Sequence, residues 1–341
     1  MNLIVFNFEM DENSKVLSHS VDWVNHLAEV FEKVFVITLR EGEYRVKKNV
    51  EVYSLKRDSV NRIISFYLLA GVLFSIHRKN SISGYFVHMA TAFVPVIYLF
   101  SKIFNQKILL WYAHKSTSLL LRVSSLMVDK IFTPSRKSYR LISSKVEFTG
   151  HGIDLNKFPL IREQTEKFRD FAIIGRISPI KNIDVAIKVF KIFEKEFPDV
   201  RLYIYGDAVD EKGKLYLEKL NKLLEGTQNV FLKGHVEQKN LHEELKNIDC
   251  TINLSDTGSL DKAIIESMAM GIPVITWNDS AKELFNYLRT NGVFIIEKTK
   301  YFDQIKKIIN SKKLIKGSIL REAIQKDHSL TRLIKKIKKF F

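Results

Sequence analysis

Phe171-Ala172-Ile173-Ile174-Gly175-Arg176-Ile177-Ser178-Pro179-Ile180-Lys181-Asn182 is the stretch on which the fold turns. A four-residue apolar run without polar alternation reads as a strand buried on both faces. Glycine closes it, and from Ile183 to Phe197 the apolar residues recur at helical spacing instead. Strand, glycine turn and helix in that order are the unit of a parallel α/β sheet.

The same unit repeats on both sides. Downstream, strands are expected at Arg201–Tyr205, Val230–Lys233, Cys250–Leu254, Val274–Thr276 and Gly292–Ile296. Helices at Lys212–Leu224, Leu241–Lys246, Leu260–Met270 and Ala281–Tyr287 separate them. Upstream, strands are expected at Leu3–Phe8, Val34–Leu39, Val50–Leu55, Gly84–His88, Lys107–Tyr112, Lys130–Thr133 and Val146–Thr149. The helices among them are Val16–Phe31, Val60–Ile76, Phe93–Phe104 and Ser116–Val128. Between the series, residues 154–169 are polar and strand-free, which places a linker there. Two doubly wound Rossmann-like α/β domains follow, residues 1–160 and 161–325, facing each other across a cleft. Residues 326–341 add a basic amphipathic helix, with Leu330, Leu333, Ile334, Ile337 and Phe340 at helical spacing between lysines. Such a helix either docks back on the domains or lies on a membrane surface, and the two are compatible.

A length of 341 residues suits two such domains, and 46% hydrophobic residues is a globular fraction. The formal charge of +16 favours polyanionic partners: nucleic acid, anionic lipid or phosphorylated small molecules. Base-stacking aromatics are not clustered beside the basic residues, which argues against nucleic acid. The lone Cys250 excludes an internal disulfide framework and a cysteine-based zinc cluster, and its apolar run reads as buried strand. The chain opens directly on Asn2-Leu3-Ile4-Val5-Phe6, a strand and not a leader peptide. Neither Ile63–Ile76 nor Ala90–Phe104 is long and apolar enough to span a bilayer. The expected location is the cytoplasm, with a peripheral place on the cytoplasmic membrane face. Gly-x-Gly-x-x-Gly is missing after the first strand and no Walker loop occurs, so dehydrogenase and P-loop readings fall away.

Ligands of open parallel sheets bind beyond the carboxyl ends of the strands. There the second half offers three constellations. Arg176 and Lys181, after Gly175, bring a planar fork and a mobile point charge suited to phosphates, beside the free N–H groups of a helix start. Glu266 is the sole charge between Lys262 and Asp279, so its carboxylate needs either a pair with Lys262 or ligand hydroxyls. The turn Asp256-Thr257-Gly258-Ser259-Leu260-Asp261-Lys262 leads into the same helix, with Ser259 or Thr257 as its expected cap. In the first half His88 and His114 follow strands, and His151 lies nearby, as a rim for an acceptor or a sugar. No metal-ligand spacing appears.

Gly175-Arg176 with Lys181, Tyr205-Gly206, and Glu266-Ser267-Met268-Ala269-Met270-Gly271-Ile272-Pro273-Val274-Ile275 together resemble the family 4 retaining glycosyltransferases of the GT-B fold. Gly150-His151-Gly152-Ile153-Asp154 with Phe158 resembles that family's interdomain segment. The resemblance implies that Arg176 and Lys181 bind the donor diphosphate and stabilise the leaving group. It implies that Glu266 holds the ribose hydroxyls and that His114 faces the donor sugar. Gly175, Gly258, Ser259, Leu260, Asp261 and Lys262 become donor-binding, while His88 and His151 fall on the acceptor side. No cofactor and no metal is expected, the nucleotide-diphosphate sugar being a co-substrate.

The sequence departs from the family at two places. A second glutamate usual eight residues before the one matched by Glu266 is Gly258 here, in a Gly-Ser-Leu-Asp-Lys variant. The N-terminal glycine-rich loop is replaced by Glu9-Met10-Asp11-Glu12-Asn13-Ser14. The expected activity is transfer of a hexose from a UDP- or GDP-sugar to a glycan or lipid-linked acceptor, with retention. The alternatives are a GT-B sugar-nucleotide epimerase and a catalytically silent GT-B protein.

Overall fold

The structure, a computed structural model, describes residues 1–14 and 17–341. The chain divides into two units, residues 1–152 with 330–341, and residues 153–329.

The N-terminal unit is a parallel sheet built from β1 (Asn2–Met10), β2 (Lys33–Glu41), β3 (Val50–Ser54), β4 (Ile82–His88), β5 (Lys107–Trp111), β6 (Lys130–Thr133) and β7 (Val146–Phe148), in the order β3-β2-β1-β4-β5-β6-β7. Its helices are α1 (His19–Val30), α2 (Arg62–Lys79), α3 (Val94–Ile103) and α4 (Leu119–Met127). Alternate side chains separate the two faces, as the period-2 pleat requires. Ile4, Phe6, Ile37, Tyr85 and Leu110 pack with α2, α3 and α4. Leu3, Val5, Val36, Phe86 and Leu109 pack with α1 on the other side.

The second unit repeats the plan with β9 (Asp170–Ile174), β10 (Arg201–Tyr205), β11 (Val230–Gly234), β12 (Cys250–Asn253), β13 (Val274–Thr276) and β14 (Val293–Ile295), ordered β11-β10-β9-β12-β13-β14. The helices α5 (Ile183–Glu196), α6 (Glu211–Leu224), α7 (Leu241–Glu244), α8 (Lys262–Ala269) and α9 (Asp279–Phe285) alternate with the strands. Then come α10 (Tyr301–Ile309) and α11 (Gly317–Asp327), while β8 (Gln164–Thr165) and β15 (Ile315–Lys316) form a small antiparallel pair. Both large sheets thus have the doubly wound order, with strand succession reversing between β1 and β4 and between β9 and β12.

The strands fall where the sequence places them; helix starts move because polar caps fix them. Asn61 caps α2 and Ser118 caps α4, each accepting a backbone N–H three residues on, so these helices begin later than Val60 and Ser116. The expected start of the first helix at Val16 lies outside the described residues. The stretch taken as strand-free contains β8, whose two pairs with β15 are too few to leave a pattern. The units divide at Gly152 and Ile153 instead of at 160, because Ile153 bridges Ser329 and Phe158 is buried in the second core.

The final helix α12 (Leu330–Lys338) belongs to the N-terminal unit and not to a separate element beginning at 326, since α11 still packs against α8. Its Leu330, Leu333, Ile334 and Ile337 are buried beside α1. Gly152 sits so close that a Cβ there would stand 2.7 Å from Leu333. The helix docks, and its apolar side is spent in doing so.

Candidate functional site

The reversal point of the second sheet gathers the predicted donor residues. Gly175 closes β9 at φ 134°, donating its N–H to Tyr205 at 3.0 Å. Gly206 closes β10 against it so tightly that a Cβ on Gly206 would meet the Gly175 carbonyl oxygen at 1.9 Å. Two glycines are therefore needed for adjacent strand ends to turn side by side. The chain then exposes Arg176 and enters a 3₁₀ turn, Pro179–Lys181.

Asn182, left-handed at φ 51°, launches α5 from that turn. Asparagine tolerates this conformation where most residues do not. Its amide donates to Leu254 O at 2.9 Å and to Asp256 Oδ2 at 3.0 Å, and Asp256 donates its N–H to Ile180 O at 3.0 Å. The loops after β9 and β12 are thereby sewn together. A second anchor is Asn278, donating to Ser259 O at 3.0 Å, while Ser280 donates to Gly258 O at 3.2 Å.

Lys181 folds back over Gly175, its Nζ 3.5 Å from where a Cβ would stand, and forms an ion pair with Asp261. Their side chains are only 13% and 10% exposed, so the pair is shielded from water. Burial alone would raise the Asp261 carboxyl. The Lys181 charge and hydrogen bonds from Lys181, Asn253 and the Ala263 N–H outweigh it and hold the group below the usual carboxylate range. Asp261 also caps α8, the task expected of Ser259 or Thr257. Thr257 Oγ1 instead donates to Ser259 O at 2.9 Å.

One turn along α8, Glu266 keeps some exposed surface while its carboxyl group is enclosed. Burial pushes it up to about 7; the Lys262 charge opposes this and the Asp261 charge adds to it. Gln238 Nε2 stands 3.4 Å from Oε1. Lys262 thus acts on Glu266 electrostatically, and the carboxyl still stays far above an ordinary glutamate. A carboxylate so placed accepts ligand hydroxyls readily once ionised. Leu260 is buried, so its side chain serves the core and only its backbone faces the turn; Gly258 takes φ 72° beside the part-exposed Ser259.

Of the predicted histidines, all in the N-terminal unit, His114 is exposed after β5. It accepts the Ser116 N–H on Nδ1 at 3.1 Å, which leaves the ring proton on Nε2. His88 ends β4 buried, its ring 4.7 Å from Trp23. His151 is buried too, so neither offers an open ring to an acceptor. The sequence reading missed the structural partners Asn182, Gln238 and Asn253. Asn182 alone had a signal, as an asparagine directly before a helix start. A polar cavity of about 640 Å³ lies elsewhere, along Arg201, Tyr203 and Tyr205 on β10, and none of the predicted donor residues lines it.

The family model described as Glycosyl transferases group 1 matches residues 157–327. Poly(glycerol-phosphate) alpha-glucosyltransferase of Bacillus subtilis is 32% identical over 149 residues, 42% of this chain and 21% of that protein. Alpha-monoglucosyldiacylglycerol synthase of Acholeplasma laidlawii is 26% identical over 122 residues, 36% of this chain and 30% of that one. The matched segments span only about a fifth and a third of those relatives. Among solved structures, HepE of Anabaena in complex with UDP superposes with a TM-score of 0.74 at 15% identity, covering 100% of this chain and 99% of that one. Sucrose-phosphate synthase of Thermosynechococcus elongatus gives 0.75 at 15% identity, covering 99% and 98%. At such identities the likeness establishes the fold, which is GT-B.

Proposed function

Because the chain belongs to the group 1 glycosyl transferases, we propose that it moves a hexose from a UDP- or GDP-sugar to a glycan or lipid-linked saccharide, with retention at the anomeric carbon. The observation that carries this reading is the convergence, at the reversal point of one sheet, of exposed Arg176, part-buried Lys181 and the raised carboxyl of Glu266. These are the groups a nucleoside diphosphate requires. The ribose hydroxyls donate to Glu266, and the diphosphate oxygens meet the guanidinium of Arg176 and the ammonium of Lys181.

As the bond from the anomeric carbon to the phosphate oxygen breaks, the diphosphate keeps the electron pair. The acceptor oxygen bonds the anomeric carbon and gives its proton to the departing diphosphate oxygen. Cations fixed beforehand where that charge develops lower the barrier, and removing one such group costs about 10²–10³ in rate. In this reading they do so without a metal ion. Asp256 is tied to Lys298 at 2.5 Å, whereas Asp261 stands against Lys181. In this reading the sugar-facing part of the carboxylate that family 4 enzymes carry where Gly258 stands falls to Asp256, Asp261 or Lys262.

Calorimetric titration with a panel of nucleoside diphosphates tests the site. One of them binds the wild type, and Arg176→Ala and Glu266→Ala each weaken it at least tenfold. The donor reading fails if none binds, or if both variants bind as the wild type does. Conversion of a sugar nucleotide with no acceptor present would replace transfer by epimerisation.

A further inference from the structure

Helix α2 departs from the rule that a surface helix turns a polar side to water. Its buried stripe is Ser65, Leu69, Leu73 and Ile76. The opposite side carries Ile63 (67% exposed), Phe66, Tyr67 (70%) and Phe74 (52%), and no charged residue occurs from Ile63 to Ile76. The neighbours continue the surface, with Leu99 and Ile103 exposed on α3 and Leu119 and Leu126 on α4. All three helices cover one face of the first sheet, and the Phe74 ring stands 5.6 Å from both Phe100 and Phe104, so these side chains share one layer. A contiguous apolar surface of this kind calls for an occupant.

Charge identifies the occupant. Residues 59–144 hold eleven lysines and arginines against one acidic residue, Asp129, whose carboxylate is taken by the Ile108 N–H at 2.7 Å; of the eleven, Lys107 and Lys130 are engaged elsewhere, with Phe340 O and Glu147. Arg78, Lys79, Lys102, Lys115 and Arg122 are exposed on or beside the same helices. The cores of protein interfaces are depleted in lysine, whereas an anionic bilayer attracts lysine and arginine and also accepts aromatic and aliphatic side chains. Among the described residues no helix is long and apolar enough to cross a membrane, so contact lies in the plane of the surface. The tail helix α12 does not serve, its apolar residues being buried.

We propose that the outer face of α2, α3 and α4 rests on an anionic lipid surface. Phe66, Tyr67 and Phe74 enter the headgroup region, and Arg78, Lys79 and Lys102 pair with lipid phosphates. The inference stands on the N-terminal unit alone and holds whatever the donor site binds.

Sedimentation of the full chain with phosphatidylcholine vesicles, with and without phosphatidylglycerol and at low and high salt, tests it. The wild type sediments with the anionic vesicles at low salt and is released by high salt and by neutral vesicles. The exposed double variants Phe66→Ser/Tyr67→Ser and Arg78→Gln/Lys79→Gln each reduce the bound fraction about tenfold, with melting temperature and nucleotide titration unchanged. Wild type left in solution with both vesicle types overturns the proposal. So does either variant binding as the wild type does, or a dimer in analytical ultracentrifugation that the aromatic variant dissolves.

Discussion

Lys181 and Asp261 shield each other from water, and removing either takes the counter-charge from the other. Lys181→Met should cost about 3–5 kcal/mol, the usual consequence of uncompensated buried charge. The double variant Lys181→Met/Asp261→Asn should recover most of that stability but not the nucleotide affinity, which thermal melts and calorimetry read separately. Glu266 moves in the opposite direction. Its carboxyl is raised to about 7, so its stabilising share is complete below the ordinary glutamate value and is lost as pH rises through 7. Glu266→Gln should therefore gain in melting temperature over the wild type on going from mildly acidic to mildly alkaline buffer. A ligand whose hydroxyls donate to the ionised form should bind more tightly over that same interval. UDP-glucose, whose phosphates do not titrate there, is the suitable probe, and Glu266→Gln should flatten the dependence. Arg176, Lys181 and Glu266 stood out as candidates in the sequence because charge at a strand end or inside an apolar helix has few explanations. The Lys181–Asp261 pair was not, since it joins residues on loops that only the sheet order brings together.

At the scale of elements, the strands of both large sheets could be read from their apolar runs, because a strand covered on both faces has no polar side to blur it. Helices α10 and α11 escaped for the contrary reason. Ile305, Ile308 and Ile309 make a narrow stripe among lysines, and Leu320, Ala323 and Ile324 a weaker one. The capping of α8 by Asp261 was hidden by Thr257 and Ser259, both competent caps in sequence. For α12 the apolar spacing was plain but its destination was not. Leu333, lodged against Gly152, should cost about 2–5 kcal/mol when cut to alanine, the range for a buried leucine. Chemical denaturation monitored at Trp23, which packs beside Gly152, measures this directly.

For the whole molecule, the two-domain organisation followed from the repeated strand–turn–helix unit, while the allocation of the tail depended on three-dimensional packing. Residues 153–329 form a continuous unit with its own core. Expressed alone, they should fold cooperatively and retain nucleotide binding, as circular dichroism and calorimetry would show. Residues 1–152 alone should remain poorly soluble, because the face that α12 covers beside Val21, Val24 and Phe132 would be open to water. The return of α12 also orders events in time. The unit that leaves the ribosome first is completed last, after the whole of its neighbour has been made. At ordinary synthesis rates its apolar face stays uncovered for roughly 10–40 s. During that interval the nascent first unit is a client for chaperones, and the second unit can reach its native state while the first is still waiting for its last helix.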